Sequence, residues 1–326
     1  MDRNGRPVLV APDSFKGTLS ADQVAAAIGN GLRRAGLAVD LAPVADGGEG
    51  TAAVLQARLG GELIAARATD PLGRELTASF VLLGNGRTAV VEAAAASGLA
   101  LVPERERDAE AATSTGTGEL ILAAVASGAE HVLVAAGGSA STDGGAGAID
   151  AIAAGGGLRG ARLTVLCDVR TPFERAAAVF APQKGADAAA VARLRRRLDA
   201  FGLPRGVPMS GAGGGLAGGL RARLGAELVP GARFVLDALD FDRRLLAGAA
   251  VVVGEGRLDS TSLEGKIIAE IATRARQRGV PAHAIVGACA LSRFDARILD
   301  LQEIREAGDL AAIEIAAVAL AGAIAP

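Results

Sequence analysis

Four short loops in this sequence combine glycine with carboxylate side chains in a pattern that suits phosphoryl transfer. They are DSFKG at 13–17, DGGEGT at 46–51, GGSASTDGGAG at 137–147 and GEGRLD at 254–259. Glycine lets backbone N–H groups approach a phosphate, and carboxylates can hold Mg²⁺ or accept a hydroxyl proton. Any one of these loops is equally compatible with an ordinary tight turn. Their joint occurrence favours a kinase site.

Lysine is rare in this chain, and each lysine stands beside a glycine. The sequence holds 34 Lys and Arg residues, of which three are lysine: Lys16, Lys184 and Lys266. An ammonium group is a compact charge that fits a narrow pocket and binds phosphate, whereas arginine presents a wide planar fork. The position of Lys16 in the first glycine loop, close to Asp13, indicates a role at an anionic ligand.

The longest of the four loops has the composition of a phosphate site. It contains three hydroxyl residues, and a helix is predicted to begin at Asp143, whose N-terminal N–H groups and dipole would favour an anion. The segment TSTGTGEL at 113–120 is predicted to be a second helix entrance of this kind.

The elements that must position these loops begin with two β-loop-α units. The strand VLVAP at 8–12 is followed by Ser20 and Gln23, a capping-box pair that predicts a helix from near Ala21. An apolar run at 39–45 and a helical run at 51–59 repeat the pattern. Such repeats are typical of a parallel sheet with crossover helices, and the carboxyl ends of its strands form one edge where ligands bind.

The pattern changes in the middle of the chain. LTASFVLLG and RTAVVEAAA flank Asn85 and Gly86, which predicts a hairpin with a two-residue turn and positive φ at both turn positions. The α/β pattern returns at AVVVGEGRLD, 250–259. We therefore predict an α/β protein in which both chain ends, 1–66 and 246–326, build a Rossmann-like parallel-sheet domain. A second, mixed α/β domain, 67–245, would be inserted, with the active site in the cleft between the domains.

Composition excludes other classes of function. A net charge of −2, eight Phe and no Trp or Tyr offer nucleic acid neither a basic surface nor stacking platforms. The apolar run at 310–325 is too short to span a bilayer and contains Glu314, so we expect a packed helix and no membrane contact. No secretory signal is visible near the N-terminus, and we expect a cytoplasmic protein.

Familiar nucleotide signatures are weak or missing in the sequence. No GxxxxGK(S/T) occurs, and the formal GxGxxG at 213–218 follows LPRGVPMS, which is not a buried strand. The two histidines, His131 and His283, stand at strand entrances among apolar residues, which favours structural roles. A general base is therefore expected to be a carboxylate.

Nine segments, in register along the chain, resemble the bacterial two-domain glycerate kinase family of type 2. They are APDSFKGTLSADQVAAAI, PVADGGEGTAAVL, TDPLGRELTASF, VVEAAAASGLAL, STGTGEL, GGSASTDGGAG, CDV followed by FAPQKGA, GAGGGLAGGL and VVVGEGRLDSTSLEGK. The resemblance implies ATP-dependent phosphorylation of the small molecule D-glycerate with Mg²⁺, with 2-phosphoglycerate favoured over 3-phosphoglycerate as product. Two departures are expected: a shortened segment at 148–163 and a resemblance that fades after Cys289.

Loop chemistry and resemblance together give a set of candidate residues. The candidates for catalysis are Asp13, Lys16, Asp46 and Glu49. The candidates for binding substrate or nucleotide are Ser14, Gly47, Gly48, Thr115, Gly116, Gly137, Gly138, Ser139, Asp143, Lys184, Glu255 and Arg257. The candidates for holding a metal ion are Asp168 and Asp259.

Three other functions remain open at this point. A kinase for another small hydroxy acid or sugar acid would show the same sequence features, because the shape of the pocket is not encoded in a local pattern. A non-catalytic relative could bind a phosphorylated metabolite through the same loops. An NAD-dependent enzyme is the third alternative, and the oligomeric state is left open.

Overall fold

The computed structural model describes residues 5–263 and 266–324. Within these ranges the strands are β1 (Val8–Pro12), β2 (Val39–Leu41), β3 (Gly61–Thr69), β4 (Glu75–Leu83), β5 (Thr88–Glu92), β6 (His131–Ala135), β7 (Arg162–Cys167), β8 (Glu227–Pro230), β9 (Ala250–Leu258), β10 (Ala282–Cys289) and β11 (Leu301–Glu306). The helices are α1 (Ala21–Arg34), α2 (Thr51–Leu59), α3 (Ala93–Ser97), α4 (Thr115–Ala126), α5 (Ala146–Ala154), α6 (Ala176–Phe180), α7 (Ala188–Asp199), α8 (Leu216–Leu224), α9 (Gly231–Ala238), α10 (Phe241–Ala247), α11 (Ile267–Gln277), α12 (Arg293–Ile298) and α13 (Leu310–Ile324).

The chain divides into two compact units. The first unit takes the chain up to Asp46 and from Val235 onward, and the second unit is Gly47–Phe234. The limits expected from the sequence, 66 and 245, lie further along the chain. Residues 51–69 belong to the second unit because α2 packs against β4 and β5, and β3 pairs with β4.

The first unit is built on a five-stranded parallel sheet of order β11-β10-β9-β1-β2. Val8 of β1 pairs with Val39 on one side and with Ala250 on the other, so both chain ends contribute to one sheet. Alternate residues of β1 point to opposite faces, and Val8 to Ala11 are all buried, as in a sheet covered on both faces. The predicted Rossmann-like α/β arrangement is confirmed.

Helix α1 begins where the capping-box pattern predicts. Ser20 Oγ accepts a hydrogen bond from Gln23 N at 3.3 Å, and Gln23 Oε1 accepts one from Ser20 N at 2.9 Å. Its buried face carries Val24, Ile28 and Leu32, which belong to the same core as residues of α13. Among the described residues, no helix has the length and apolar character needed to cross a membrane.

The second unit holds a six-stranded mixed sheet of order β3-β4-β5-β6-β7-β8. Strands β3, β4 and β5 run antiparallel, and β5 to β8 run parallel. The inserted mixed α/β fold is therefore as predicted. Strand β3 was not predicted, because Gly61–Thr69 is largely exposed and lacks a clear alternation of apolar and polar residues.

The connection between β4 and β5 differs from the predicted turn. The antiparallel pairing is present, but four residues separate Leu83 from Thr88, and of Asn85 and Gly86 only the glycine has positive φ. The Asn85 side-chain oxygen accepts hydrogen bonds from the N–H groups of Arg87 and Thr88, at 3.0 and 2.9 Å. These side-chain bonds make the turn, so a left-handed asparagine is not needed.

Candidate active site

A cavity of about 450 Å³ lies at the carboxyl ends of the parallel strands in the first unit. Strands β2, β1 and β9 are neighbours, so the residues that follow or end them are brought together. Seven of the candidate residues line the cavity: Asp13, Ser14, Lys16, Asp46, Glu255, Arg257 and Asp259. Three of the four sequence loops therefore contribute to one cavity.

Lys16 is presented to the cavity by a tight turn after β1. The side chain of Phe15 is buried and anchors the turn, while Phe15 N donates to Leu19 O at 2.9 Å and Thr18 Oγ1 donates to Phe15 O at 2.8 Å. Gly17 has a φ of +80°, a value that a residue with a side chain rarely adopts. Lys16 Nζ lies 3.6 Å from Asp46 Oδ2, and the lysine side chain is 56% exposed.

Asp13 is a buried carboxyl group at the same end of the cavity. Burial, together with the neighbouring Asp46 carboxylate, raises the pKa of Asp13 to about 8, although the nearby Lys16 ammonium opposes the shift. Its Oδ1 accepts a hydrogen bond from Ser14 N at 2.6 Å. A carboxyl with a pKa near neutrality can both hold and accept a proton at physiological pH, which is what a general base requires.

Glu255 supplies a third carboxylate, from β9. Ser262 Oγ donates to Glu255 Oε1 at 2.7 Å, and burial raises the pKa of Glu255. Arg257 Nε lies 3.4 Å from Asp259 Oδ2, so a guanidinium stands beside these acids. Lys266 also lines the cavity. Its position beside a glycine was noted in the sequence, but neither Lys266 nor Ser262 was among the candidate site residues.

The remaining candidates lie in the second unit, where several meet at the carboxyl ends of β6 and β7. Gly137 N donates to Gly47 O at 3.4 Å. A Cβ added to Gly137 would lie 2.6 Å from the Cα of Gly48 and 3.0 Å from Asp168 Oδ2. Gly47, with a φ of +98°, passes close to the backbone of Leu166. The backbones of two glycine-rich segments and one carboxylate are thus packed together.

The helix that the sequence predicted to begin at Asp143 begins three residues later, and the Asp143 side chain accepts hydrogen bonds at its start. Helix α5 begins at Ala146, and the buried carboxylate of Asp143 accepts hydrogen bonds from Gly145 N and Gly147 N at 3.0 and 3.1 Å. It also accepts bonds from Ser114 N and Ser114 Oγ, at 2.9 and 2.8 Å, just before α4. The first N–H groups of α5 are therefore partly satisfied by the protein itself.

Lys184 is enclosed beneath residues 137–147, which we call the glycine loop. The residue is 3% exposed, and its Nζ donates to Ser141 O at 2.5 Å and to Ser139 Oγ at 3.2 Å. Burial lowers the pKa of Lys184 to about 8, while Asp143 and Asp168 oppose the shift. Gly138, at the start of the loop, has a φ of +75°.

Three further candidates of the second unit occupy different settings. Gly116 is buried in the first turn of α4, where an added Cβ would collide with the carbonyl oxygen of Thr69. Thr115 Oγ1 lies 2.8 Å from the hydroxyl of Thr113. Glu49 is exposed. Burial of Glu92 raises the pKa of Glu92, and the nearby charge of Glu49 raises it further. Glu92 also accepts a hydrogen bond from Ala52 N. Asp46 and Glu49 belong to different units.

The cavity and the glycine loop each have a nearby carboxylate of the kind that binds Mg²⁺. Within the described ranges, no three or more His, Cys, Asp or Glu side chains are grouped so as to hold a metal ion. Mg²⁺ is commonly bound by one or two carboxylates, with waters and substrate phosphates completing its octahedron. Asp168, beside Gly137, and Asp259, beside Arg257, each offer such an oxygen donor.

Comparison with known proteins gives consistent matches along nearly the whole chain. The family model described as "Glycerate kinase family" matches residues 8–156 and 153–316. The chain is 38% identical over 322 residues to the glycerate 2-kinase of Escherichia coli (strain K12), with 86% of this chain and 84% of that protein covered. It is 39% identical, with the same coverage, to the glycerate kinase of Bacillus subtilis (strain 168).

A solved structure agrees with these matches. A crystal structure of a protein assigned as glycerate kinase 2 from Salmonella typhimurium LT2 superposes with a TM-score of 0.79 at 33% identity, covering 98% of each chain. The family match continues to residue 316, so the expectation that the resemblance fades after Cys289 is wrong.

Proposed function

The chain belongs to the glycerate kinase family and is an enzyme of that family, and on this premise we propose that it transfers the γ-phosphoryl group of ATP to a hydroxyl of D-glycerate. The observation that carries this proposal is the cavity of the first unit, where Lys16 stands beside the buried carboxyls Asp13 and Asp46. Glycerate is a small hydroxy acid, so its site needs a cation for the carboxylate and polar groups for two hydroxyls.

The cavity residues divide the chemical work between them. Lys16 contacts the glycerate or the phosphoryl group that is transferred. Arg257 is a second cation that can bind an acidic group of the substrate or nucleotide. Asp13 accepts the proton of the attacking hydroxyl, because its raised pKa places it near the pH at which it must act. Asp46 orients Lys16 and the substrate hydroxyl, and Glu255, held by Ser262, contributes to hydroxyl binding.

The glycine loop and Gly47 and Gly48 form the nucleotide part of the site in this proposal. Their backbone N–H groups and the Ser139 hydroxyl are suited to phosphate oxygens, because glycine permits close approach. Asp168 is the favoured carboxylate for Mg²⁺, since it lies against the start of this loop, and Asp259 is the second candidate. When bound, Mg²⁺ would neutralise phosphate charge during transfer.

We further propose that the product is 2-phosphoglycerate. The Escherichia coli relative is a glycerate 2-kinase, which supports position 2. A coupled assay of ADP formation with D-glycerate, L-glycerate, a panel of other hydroxy and sugar acids, and no acceptor tests the activity. Phosphorus-coupled NMR of the product then tests the position. ADP formation that is independent of D-glycerate, or faster with another acid, would contradict the assignment.

A further inference from the structure

We propose that Lys184 and the three glycines at 213–215 are positioning residues that hold the glycine loop in the conformation that receives the nucleotide phosphates. This inference rests on the proposed function, which assigns the loop to the nucleotide. Neither Lys184 nor the three glycines need to touch the ligand. They act on the backbone of the loop from its buried side.

The contacts of Lys184 are directed to the loop. Its ammonium group donates to the carbonyl oxygen of Ser141 and the hydroxyl of Ser139, and the residue is almost wholly buried. A buried ammonium is costly unless it is hydrogen-bonded and near negative charge, which Asp143 and Asp168 supply. A single side chain therefore fixes two points of the loop, at 139 and 141.

The glycine run supports the same loop at Ser141 and Gly144. Gly213, Gly214 and Gly215 have φ values of +65°, +68° and +93°. A Cβ added to Gly214 would collide with Ser141 O and lie 3.0 Å from Lys184 Nζ. The carbonyl oxygen of Gly214 accepts a hydrogen bond from Gly144 N at 3.2 Å.

This packing explains why the sequence contains a formal GxGxxG at 213–218 that does not follow a strand. An added Cβ would meet the Ser141 backbone at Gly214 and the Phe173 ring at Gly215 and Gly218, so close packing excludes larger residues there. Because Asp143 is hydrogen-bonded to Ser114 and to the first turn of α5, the loop is restrained at 139, 141, 143 and 144. N–H groups that bind a phosphate are effective when the backbone that carries them is held in place before the ligand arrives.

The experiment compares nucleotide binding and kinetics in three variants and a matched control. Lys184→Met removes the ammonium, Gly214→Ala pushes on Ser141 and Lys184, and Ser139→Ala removes one acceptor. Gly202→Ala is the control, because Gly202 has a similar φ of +65° but no atom within 4 Å of an added Cβ. Calorimetry with Mg·ATP measures the nucleotide Kd, and steady-state kinetics measure KM for ATP and D-glycerate separately.

We expect Lys184→Met and Gly214→Ala to raise the nucleotide Kd and KM about tenfold or more, since each loses or distorts a charged hydrogen bond. Ser139→Ala should raise the nucleotide Kd and KM about threefold, because it removes one of the two hydrogen bonds that Lys184 Nζ donates. KM for D-glycerate should stay within about twofold in all variants, and Gly202→Ala should match the wild type.

Several results would overturn the inference. It fails if folded Lys184→Met and Gly214→Ala bind Mg·ATP like the wild type, if KM for D-glycerate alone rises, or if Gly202→Ala weakens nucleotide binding equally. If Lys184→Met does not fold, as judged by circular dichroism, Gly214→Ala decides, because the Ser139 hydroxyl is itself assigned to phosphate oxygens. Wild-type protein that binds Mg·ATP but does not phosphorylate D-glycerate would overturn the proposed function, while the binding series would still decide the role of Lys184.

Discussion

Lys16 Nζ and Asp46 Oδ2 lie 3.6 Å apart, with the carboxylate buried and more than half of the lysine side chain exposed. The two residues follow neighbouring parallel strands, so the strand order brings them together. An ion pair with such an exposed partner contributes only about 0–1 kcal/mol to stability. Its importance is therefore chemical, because Asp46 restrains an ammonium that still faces the cavity.

Replacing Lys16 is expected to impair turnover far more than stability. Lys16→Met should lower kcat with D-glycerate and ATP about 10²–10³-fold, because a preorganised charge at the phosphoryl group acts most strongly in the transition state. The melting temperature should change by about 2 °C or less, since the lysine side chain of the pair is more than half exposed. Steady-state kinetics and calorimetry measure the two effects.

The control for this variant is Arg243→Ala, which removes another exposed cation of the first unit. Arg243 pairs with Asp240 and is not among the cavity-lining residues. It should leave kcat unchanged. Full turnover in Lys16→Met, or an equal loss in both variants, would contradict the role of Lys16.

The buried carboxyl of Asp13 is expected to make stability fall as pH rises. Its pKa is raised from 3.8 to about 8 in the folded protein, so between these values the native state holds a proton that the unfolded state has lost. Stability from this group is therefore present at low pH and is lost as pH approaches 8. Asp13→Asn keeps a neutral side chain at every pH. The melting temperature of the wild type should therefore fall, relative to that of Asp13→Asn, as pH rises from 5 to 9.

The same group should control the rate. If Asp13 is the base, kcat/KM of the wild type rises with pH until about 8, and Asp13→Asn has little activity at any pH. Melting curves and initial rates in one set of buffers measure both. Parallel melting profiles for wild type and Asp13→Asn would show that the carboxyl is already ionised at neutral pH, and would count against this assignment.

Two glycines in the contacting helices α1 and α13 should respond oppositely to the same substitution. A Cβ at Gly31 would collide with Glu314 O and lie 2.6 Å from the Cβ of Ala317, whereas a Cβ at Gly322 would meet nothing within 4 Å. Gly31→Ala should destabilise the protein by about 1–3 kcal/mol through overpacking. Gly322→Ala should stabilise it by about 0.5–1 kcal/mol, because alanine favours the helix.

Denaturant unfolding followed by circular dichroism measures both changes. Each variant serves as the control for the other, since both place a methyl group in a helix. Equal shifts in the two variants would mean that α1 and α13 are not in the close contact described above.

Local and topological signals in the sequence predicted much of the fold. VLVAP and the Ser20 and Gln23 pair gave β1 and the start of α1, because strand burial and helix capping depend on residues a few positions apart. The alternation of strands and helices predicted the parallel sheet. The rule that its carboxyl ends share one edge explains why the loops at 13–17 and 254–259 line one cavity.

What the sequence did not predict depends on partners that are distant along the chain. The sequence around Asp143 predicted a helix start there. Its hydrogen-bond partner Ser114 lies 29 positions away, and no local sequence pattern predicts a hydrogen bond over that separation. The contacts of Lys184 with Ser139 and Ser141 span 45 and 43 positions. The prediction of positive φ at Asn85 was wrong for a different reason. Hydrogen bonds to the Asn85 side chain form the turn in place of the expected backbone conformation.

Because Val8 pairs with Ala250, β1 cannot pair with β9, the central strand of the sheet, until β9 has been synthesised. A ribosome that adds about 5–20 residues per second delivers β9 on the order of tens of seconds after β1 has emerged. The whole segment Gly47–Phe234 is translated in that interval and could form its own sheet first. The nascent N-terminal strand, apolar on both faces, is then a natural target for chaperones until the last third of the chain appears.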